Sequence, residues 1–195
     1  MGFPDRRDPC GITRFGHHYK EYQQVANFDP AFDKMIRNEG GFKLTNIEGD
    51  RGGQTYAGIS RKANPGWPGW HQVDANDLTS ADLTQSVRDF YRREFWNRIG
   101  GDAITHQTIA ETLFDFAVNA GSGTAAKLAQ IVVGVVPDGG IGPKTLAALN
   151  GCEPELFALK YALAKVSRYA EICNRDRTQS KFLLGWINRT LKELT

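Results

Sequence analysis

The sequence predicts a mainly α fold with a small β-hairpin region, and three observations carry that prediction. Apolar residues recur at helical spacing through most of the chain from residue 29 onward. Glycines crowd one window, where Gly49, Gly52, Gly53 and Gly58 interrupt short β-compatible pieces between Phe42 and Ile59. The composition, 41% hydrophobic and 24% charged over 195 residues, is that of a globular chain able to form one compact unit or a unit with a small appendage.

Residues 1–26 carry Arg, His, Tyr and Gln with little apolar periodicity and read as an N-terminal extension. Asp29-Pro30 then opens a helix, with Asp29 as cap and Pro30 at the first helical position. Phe32, Met35 and Ile36 share one face, and Gly40-Gly41 ends the helix. The stretch Asn64-Pro65-Gly66-Trp67-Pro68-Gly69-Trp70 reads as a loop. Thr79 with Asp82 forms a capping-box pattern, and Leu78 with Leu83 a hydrophobic staple, ahead of a stripe of Leu83, Val87, Phe90, Tyr91 and Phe95.

Further helices are expected from Gln107 to Ala120 with Gly121 as stop, and from Ser122 through Val132. The turn Asp138-Gly139-Gly140-Ile141-Gly142-Pro143 leads into another, closed by Gly151. Glu153-Pro154 starts a long helix whose expected inward stripe is Leu156, Leu159, Leu163, Val166 and Ala170. A last helix near Gln179–Leu194 carries Phe182, Leu183, Trp186, Ile187 and Leu191. Trp96, Phe114, Phe116 and Trp186 fall on apolar stripes and read as core.

Several function classes find no support. Twenty-four basic against 22 acidic residues give a formal charge of +2, without the basic excess that nucleic-acid binding calls for. Cys10, Cys152 and Cys173 form no CxxC pair and no even framework, and read as thiols of a chain folded under reducing conditions. His17, His18, His71 and His106 lack metal-ligand spacing, so neither a metal nor any other cofactor is expected. No nucleophile elbow or P-loop occurs. The longest apolar run, Ile131 to Val136, is too short for a bilayer, so no stable membrane insertion is expected. Residues Met1 to Asp8 lack a signal peptide's apolar stretch, which predicts synthesis in the cytoplasm.

Glu39 is the residue with the most chemical content. It follows Ile36, Met35 and Phe32 by three, four and seven positions, which places it on their apolar face at the C-terminal end of the helix. Partial desolvation and the negative end of the helix dipole both disfavour its charged form. A carboxyl kept protonated can donate a proton to a glycosidic oxygen. The same pattern is compatible with a salt-bridged or simply exposed glutamate.

Several motifs in order resemble glycoside hydrolase family 108. They are Glu39-Gly40-Gly41-Phe42, the run from Asp50-Arg51-Gly52-Gly53-Gln54-Thr55-Tyr56 to Gly58-Ile59, and Tyr91 to Trp96. Phe114-Asp115-Phe116-Ala117-Val118-Asn119-Ala120-Gly121 continues the match. Asp138 to Thr145 and Phe182 to Arg189 then resemble the predicted peptidoglycan-binding segment that accompanies the family. The resemblance spans about residues 28 to 192. It implies a lysozyme-like α+β fold, cleavage of the β-1,4 bond between N-acetylmuramic acid and N-acetylglucosamine, and Glu39 as general acid. Members resemble phage endolysins, and some related chains are called secretion activator proteins. A non-catalytic peptidoglycan-binding or secretion-assisting protein is therefore the alternative.

A glycosidase acid works with a second carboxylate, and Asp50 is the candidate base or electrostatic stabiliser. Glu48 competes with it, and a turn role ahead of Gly52-Gly53 is the plainer reading. Thr55 and Tyr56 are candidates for bonding sugar hydroxyls or positioning water, or Thr55 only ties down the hairpin. Asn119 either faces the cleft or ends its helix. Trp67 and Trp70 are candidates for stacking on pyranose faces, or for a packed lid. The expected division is an extension (1–26), a lysozyme-like catalytic region (27–120) and a helical predicted peptidoglycan-binding region (121–195) packed on it as one unit. The expected partners are peptidoglycan glycan strands and a holin-like or other export partner, with action on the wall or in the periplasm once exported.

Overall fold

The computed structural model describes residues 25–45 and 53–194. These comprise eight α-helices and a three-stranded antiparallel sheet, so the mainly helical class with a small β region holds.

Helix α1 (Phe28–Asn38) turns Phe28, Ala31, Phe32, Met35 and Ile36 inward. Its cap is Asn27 rather than Asp29: the Asn27 side chain accepts the Asp29 N–H at 3.0 Å. The Asp29 carboxylate instead pairs with Arg88 of α3 (Ala81–Tyr91). Asn27 also exchanges two hydrogen bonds with Gln107, its N–H donating to Oε1 at 2.7 Å and its carbonyl accepting from Nε2 at 3.0 Å. This pins α1 to the start of α4 (Gln107–Ala120).

Strands β1 (Leu44–Thr45), β2 (Thr55–Tyr56) and β3 (Ile59–Ser60) follow in sequence order, with Leu44 opposite Tyr56 and Tyr56 opposite Ile59. Ala57 (φ 47°) and Gly58 (φ 80°) close the β2–β3 hairpin, the positive-φ pair of a type I′ turn. The predicted loop ends in a short helix, α2 (Trp70–Asp74). Helix α3 starts after Ser80 with no side-chain cap bond, so the Thr79–Asp82 capping box is not formed. Its C-terminal end widens into a π-helical stretch, Arg92–Trp96, directly after Tyr91.

Helices α4, α5 (Ser122–Val132), α6 (Pro143–Asn150) and α7 (Pro154–Arg175) lie where the sequence places them. The Glu153 carboxylate caps α7 through the Glu155 and Leu156 N–H groups. Helix α8 (Ser180–Lys192) returns antiparallel to α7, with Trp186 stacked on Tyr169 at 5.2 Å and Glu193 paired with Lys165.

The expected inward stripe of α7 is corrected by the structure. Leu156, Leu159, Leu163 and Val166 are 49%, 53%, 69% and 37% exposed. The buried face is Phe157, Tyr161, Ala162, Lys165, Tyr169 and Cys173. The helix carries two apolar stripes, and the one with three aromatic rings removes the larger area from water. Periodicity alone does not choose between them.

The core centres on Phe28, Trp96 and Phe114, whose ring centroids lie 5.6–5.8 Å apart. The Asp138–Thr145 turn is organised by Gln130, which is fully buried. Its amide nitrogen donates to Asp138 (2.7 Å), the Gly140 carbonyl (2.9 Å) and Thr145 (3.2 Å), and its oxygen accepts from Gly139 N (2.8 Å). Gln130→Ala leaves these groups without their common partner and is expected to cost about 2–3 kcal/mol. Denaturant unfolding checks this, and an unchanged midpoint would count against the network.

Candidate active site

Glu39 is held by backbone geometry before any side chain is considered. It is the C-cap of α1, and the chain leaves the helix through Gly40 (φ 90°) and Gly41 (φ 82°). The Gly40 N–H donates to Arg37 O at 3.2 Å and the Gly41 N–H to Ile36 O at 2.8 Å, the two bonds of a Schellman motif. The residue after Glu39 must be left-handed for this closure, which suits glycine. The acid is therefore fixed at a rigid corner with its side chain 25% exposed.

Three elements converge on its carboxylate. Arg189 of α8 donates through Nη2 to Glu39 Oε1 at 3.0 Å. The same guanidinium contacts Asp115 of α4 at 3.2–3.4 Å through Nε and Nη2. Asp115 is itself buried in the middle of its helix and accepts from Asn38 Nδ2 at 3.3 Å. Burial works against the Arg189 charge, but Asp115 and Glu39 outweigh it and hold the guanidinium above its ordinary range. Of the readings open from helical phase, the structure shows the salt-bridged one, a half-buried ion pair.

On the other side stands the β2–β3 turn. Tyr91 Oη donates to the Ala57 carbonyl at 2.9 Å. Burial, reinforced by the Glu39 charge, pushes the Tyr91 phenol far above its usual range and keeps it a neutral donor. A Cβ on Gly58 would lie 2.5 Å from Tyr91 Oη and 3.9 Å from Glu39 Oε2. Only a residue without a side chain lets the turn approach this closely, and Gly58 also sits at positive φ. Gly58→Ala is expected to cost about 1–3 kcal/mol through strain and the displaced Tyr91 ring. Thermal unfolding measures it, and a neutral result would mean the turn is not held as described.

The other sequence candidates separate. Asp50 and the competing Glu48 lie outside the described residues. Trp67 and Trp70 are each only 5% exposed, with their indole N–H groups donating to Ser86 O and Asn64 O. Trp67 packs edge-on to Trp70 and stacks on Tyr56. Both indoles are thus packed into the hydrophobic core, the packed alternative of the two readings that the sequence leaves open. Tyr56 is likewise buried, its hydroxyl donating to Leu78 O. Thr55 is half-buried and its hydroxyl donates to Gly53 O. Asn119 lies one turn beyond Asp115, exposed in a recess of about 190 Å³ with Arg168, Tyr169 and Trp186. A larger recess of about 400 Å³, lined by Lys34, Asn38, Asn188, Arg189, Lys192 and Glu193, opens on the α8 side of the ion pair.

Arg189, Asp115 and Tyr91 were not singled out from residue chemistry, yet each stands in one of the motifs that carry the family resemblance. The partnership of Arg189 with Glu39 is set by tertiary packing across 150 residues of chain, which spacing does not reveal. Among the described residues no group of three or more His, Cys, Asp or Glu is placed to hold a metal. Among them, too, no helix is long and apolar enough to cross a membrane.

The model of the glycosyl hydrolase 108 family matches residues 32–121, which include Glu39, Tyr91 and Asp115. The predicted peptidoglycan domain matches residues 124–191, which include Arg189. The solved structure of SagA from Brucella abortus is similar at 29% identity and a TM-score of 0.67, covering 86% of this chain and 91% of that one. None of the curated proteins matches this sequence. On a lysozyme-like α+β arrangement, residues 32–121 are thus similar to the glycosyl hydrolase 108 family and residues 124–191 to the predicted peptidoglycan domain.

Proposed function

We propose that this chain hydrolyses peptidoglycan at the β-1,4 bond between N-acetylmuramic acid and N-acetylglucosamine, with Glu39 as general acid. The observation that carries the reading is the Glu39 carboxyl: fixed at a helix corner, partly open to solvent, and flanked by a turn whose backbone closes to its second oxygen. A proton donor needs that combination of a fixed position and access to the leaving oxygen.

In the free protein Arg189 donates to Oε1, a contact that a leaving oxygen must compete with. Asp115 offers the same guanidinium two further oxygens at 3.2 and 3.3 Å. A glycan entering beside α1 can thus displace the Glu39 contact without leaving Arg189 unpaired. Asp50 is assigned as base or electrostatic stabiliser, and Thr55 and Asn119 stay candidates for glycan contacts. The substrate lies in the wall, reached through an export partner.

The Glu39–Arg189 ion pair also favours a second reading, in which Glu39 is a structural counter-ion in a peptidoglycan-binding or secretion-assisting protein. Incubation with purified peptidoglycan separates the two. New reducing ends on muramic acid support hydrolysis; sedimentation with the glycan and no released muropeptides supports binding alone.

A further inference from the structure

The outward stripe of α7 is a row of exposed apolar side chains along one helix. Leu156, Leu159, Leu163, Val166 and Ala170 recur at intervals of three, four, three and four residues. That is the a/d spacing of a helix-pairing seam, narrower than the stripe a helix uses to bury itself in its own domain. The helix already has a separate, fully occupied inner face of Phe157, Tyr161, Lys165 and Tyr169. The outer seam is therefore surplus to the fold of one copy. Its four large side chains keep 37–69% of their surface exposed, and contiguous apolar patches of this kind mark association sites.

We infer that this seam is a self-association surface on which a second copy of the chain docks, the two α7 helices running parallel about a two-fold axis. Two features select a second copy as occupant. An a/d row is complementary to itself when packed in register, each knob entering a hole formed by its own counterpart. The charges flanking it also match: Glu155 and Lys160 stand five residues apart on opposite sides of the seam, both exposed. Parallel in-register packing sets each Glu155 against Lys160 of the other copy, twice over by symmetry. Residues 1–24 space Ile12, Phe15, Tyr19 and Tyr22 alike, but with Gly11 and Gly16 beside them and one aliphatic side chain against the seam's five they match the row less well.

The test is the oligomeric state of the full chain by light scattering and sedimentation across a concentration series. Wild type is expected to show a concentration-dependent dimer. Leu159→Glu and Leu163→Glu, both at exposed positions, are each expected to weaken it by about tenfold or more with unchanged circular dichroism. Glu155→Lys is expected to weaken it less, through like charges, and the exchange Glu155→Lys with Lys160→Glu to restore it. A monomeric wild type at all concentrations overturns the inference, including the case in which residues 1–24 cover the seam. So does a dimer indifferent to Leu163→Glu, and a dimer that the charge exchange fails to restore overturns the parallel register.

Discussion

Glu39→Gln is expected to reduce release of muropeptides by about 10²–10⁴-fold, the range for removing a positioned general acid. The substitution keeps shape and a hydrogen-bond acceptor, so Arg189 still finds a partner at 3.0 Å and remains anchored on Asp115. The fold is therefore expected to survive, with the α1 corner held by backbone bonds that do not involve the side chain. What is lost is the proton that the leaving oxygen needs. The measurement is the initial rate of new reducing ends, with the thermal midpoint as control. A variant that retains full rate and a wild-type midpoint would remove Glu39 from the chemistry.

Lys165→Ala is expected to be the most damaging substitution for stability, by about 3–5 kcal/mol. Lys165 is 1% exposed, pairs with Glu193 at the end of α8, and lies over the rings of Phe116 (5.0 Å) and Tyr161 (5.2 Å). Burial lowers the Lys165 amine and raises the Glu193 carboxyl from their ordinary ranges, so each charge depends on the other. Removing one side leaves the other buried and unpaired, with a cavity beneath Phe116. Replacing both, by Lys165→Met with Glu193→Leu, is expected to recover most or all of the loss, because the desolvation cost disappears along with the attraction. Urea unfolding of the single and double variants decides it; equal destabilisation in both would mean that packing, rather than the unpaired charge, sets the loss.

Helix limits were legible in the sequence wherever a chemical stop exists. Gly121, Gly151 and the Glu153-Pro154 pair end or begin helices for local reasons, and the chain obeys them. The Thr79–Asp82 box failed because Ser80, one residue on, takes the cap position without any side-chain bond, so a pattern was present but unused. The α7 stripe failed for a different reason: leucine spacing reports that a face is apolar, not what it faces. Glu39 was legible from its helical phase and the motif around it, but its ion pair was not. Arg189 lies 150 residues away, and only the packing of α8 on α7 and of α7 on α4 brings it near. Trp67 and Trp70 looked exposed because proline and glycine surround them, yet two indoles of that size bury more surface than their loop exposes.

The Arg189 contact has a consequence for how this protein can be cut and recombined. The two family segments meet between residues 121 and 124, which invites treating them as exchangeable modules. Yet the guanidinium that partners both Glu39 and Asp115 is contributed from beyond that junction. A fragment ending at the junction would leave two facing carboxylates with no cation between them. A chimera would work only if the incoming segment delivered an arginine to the same spot. The boundary in the sequence is not a boundary in the chemistry: the two segments share one electrostatic unit, and selection on either must pass through both.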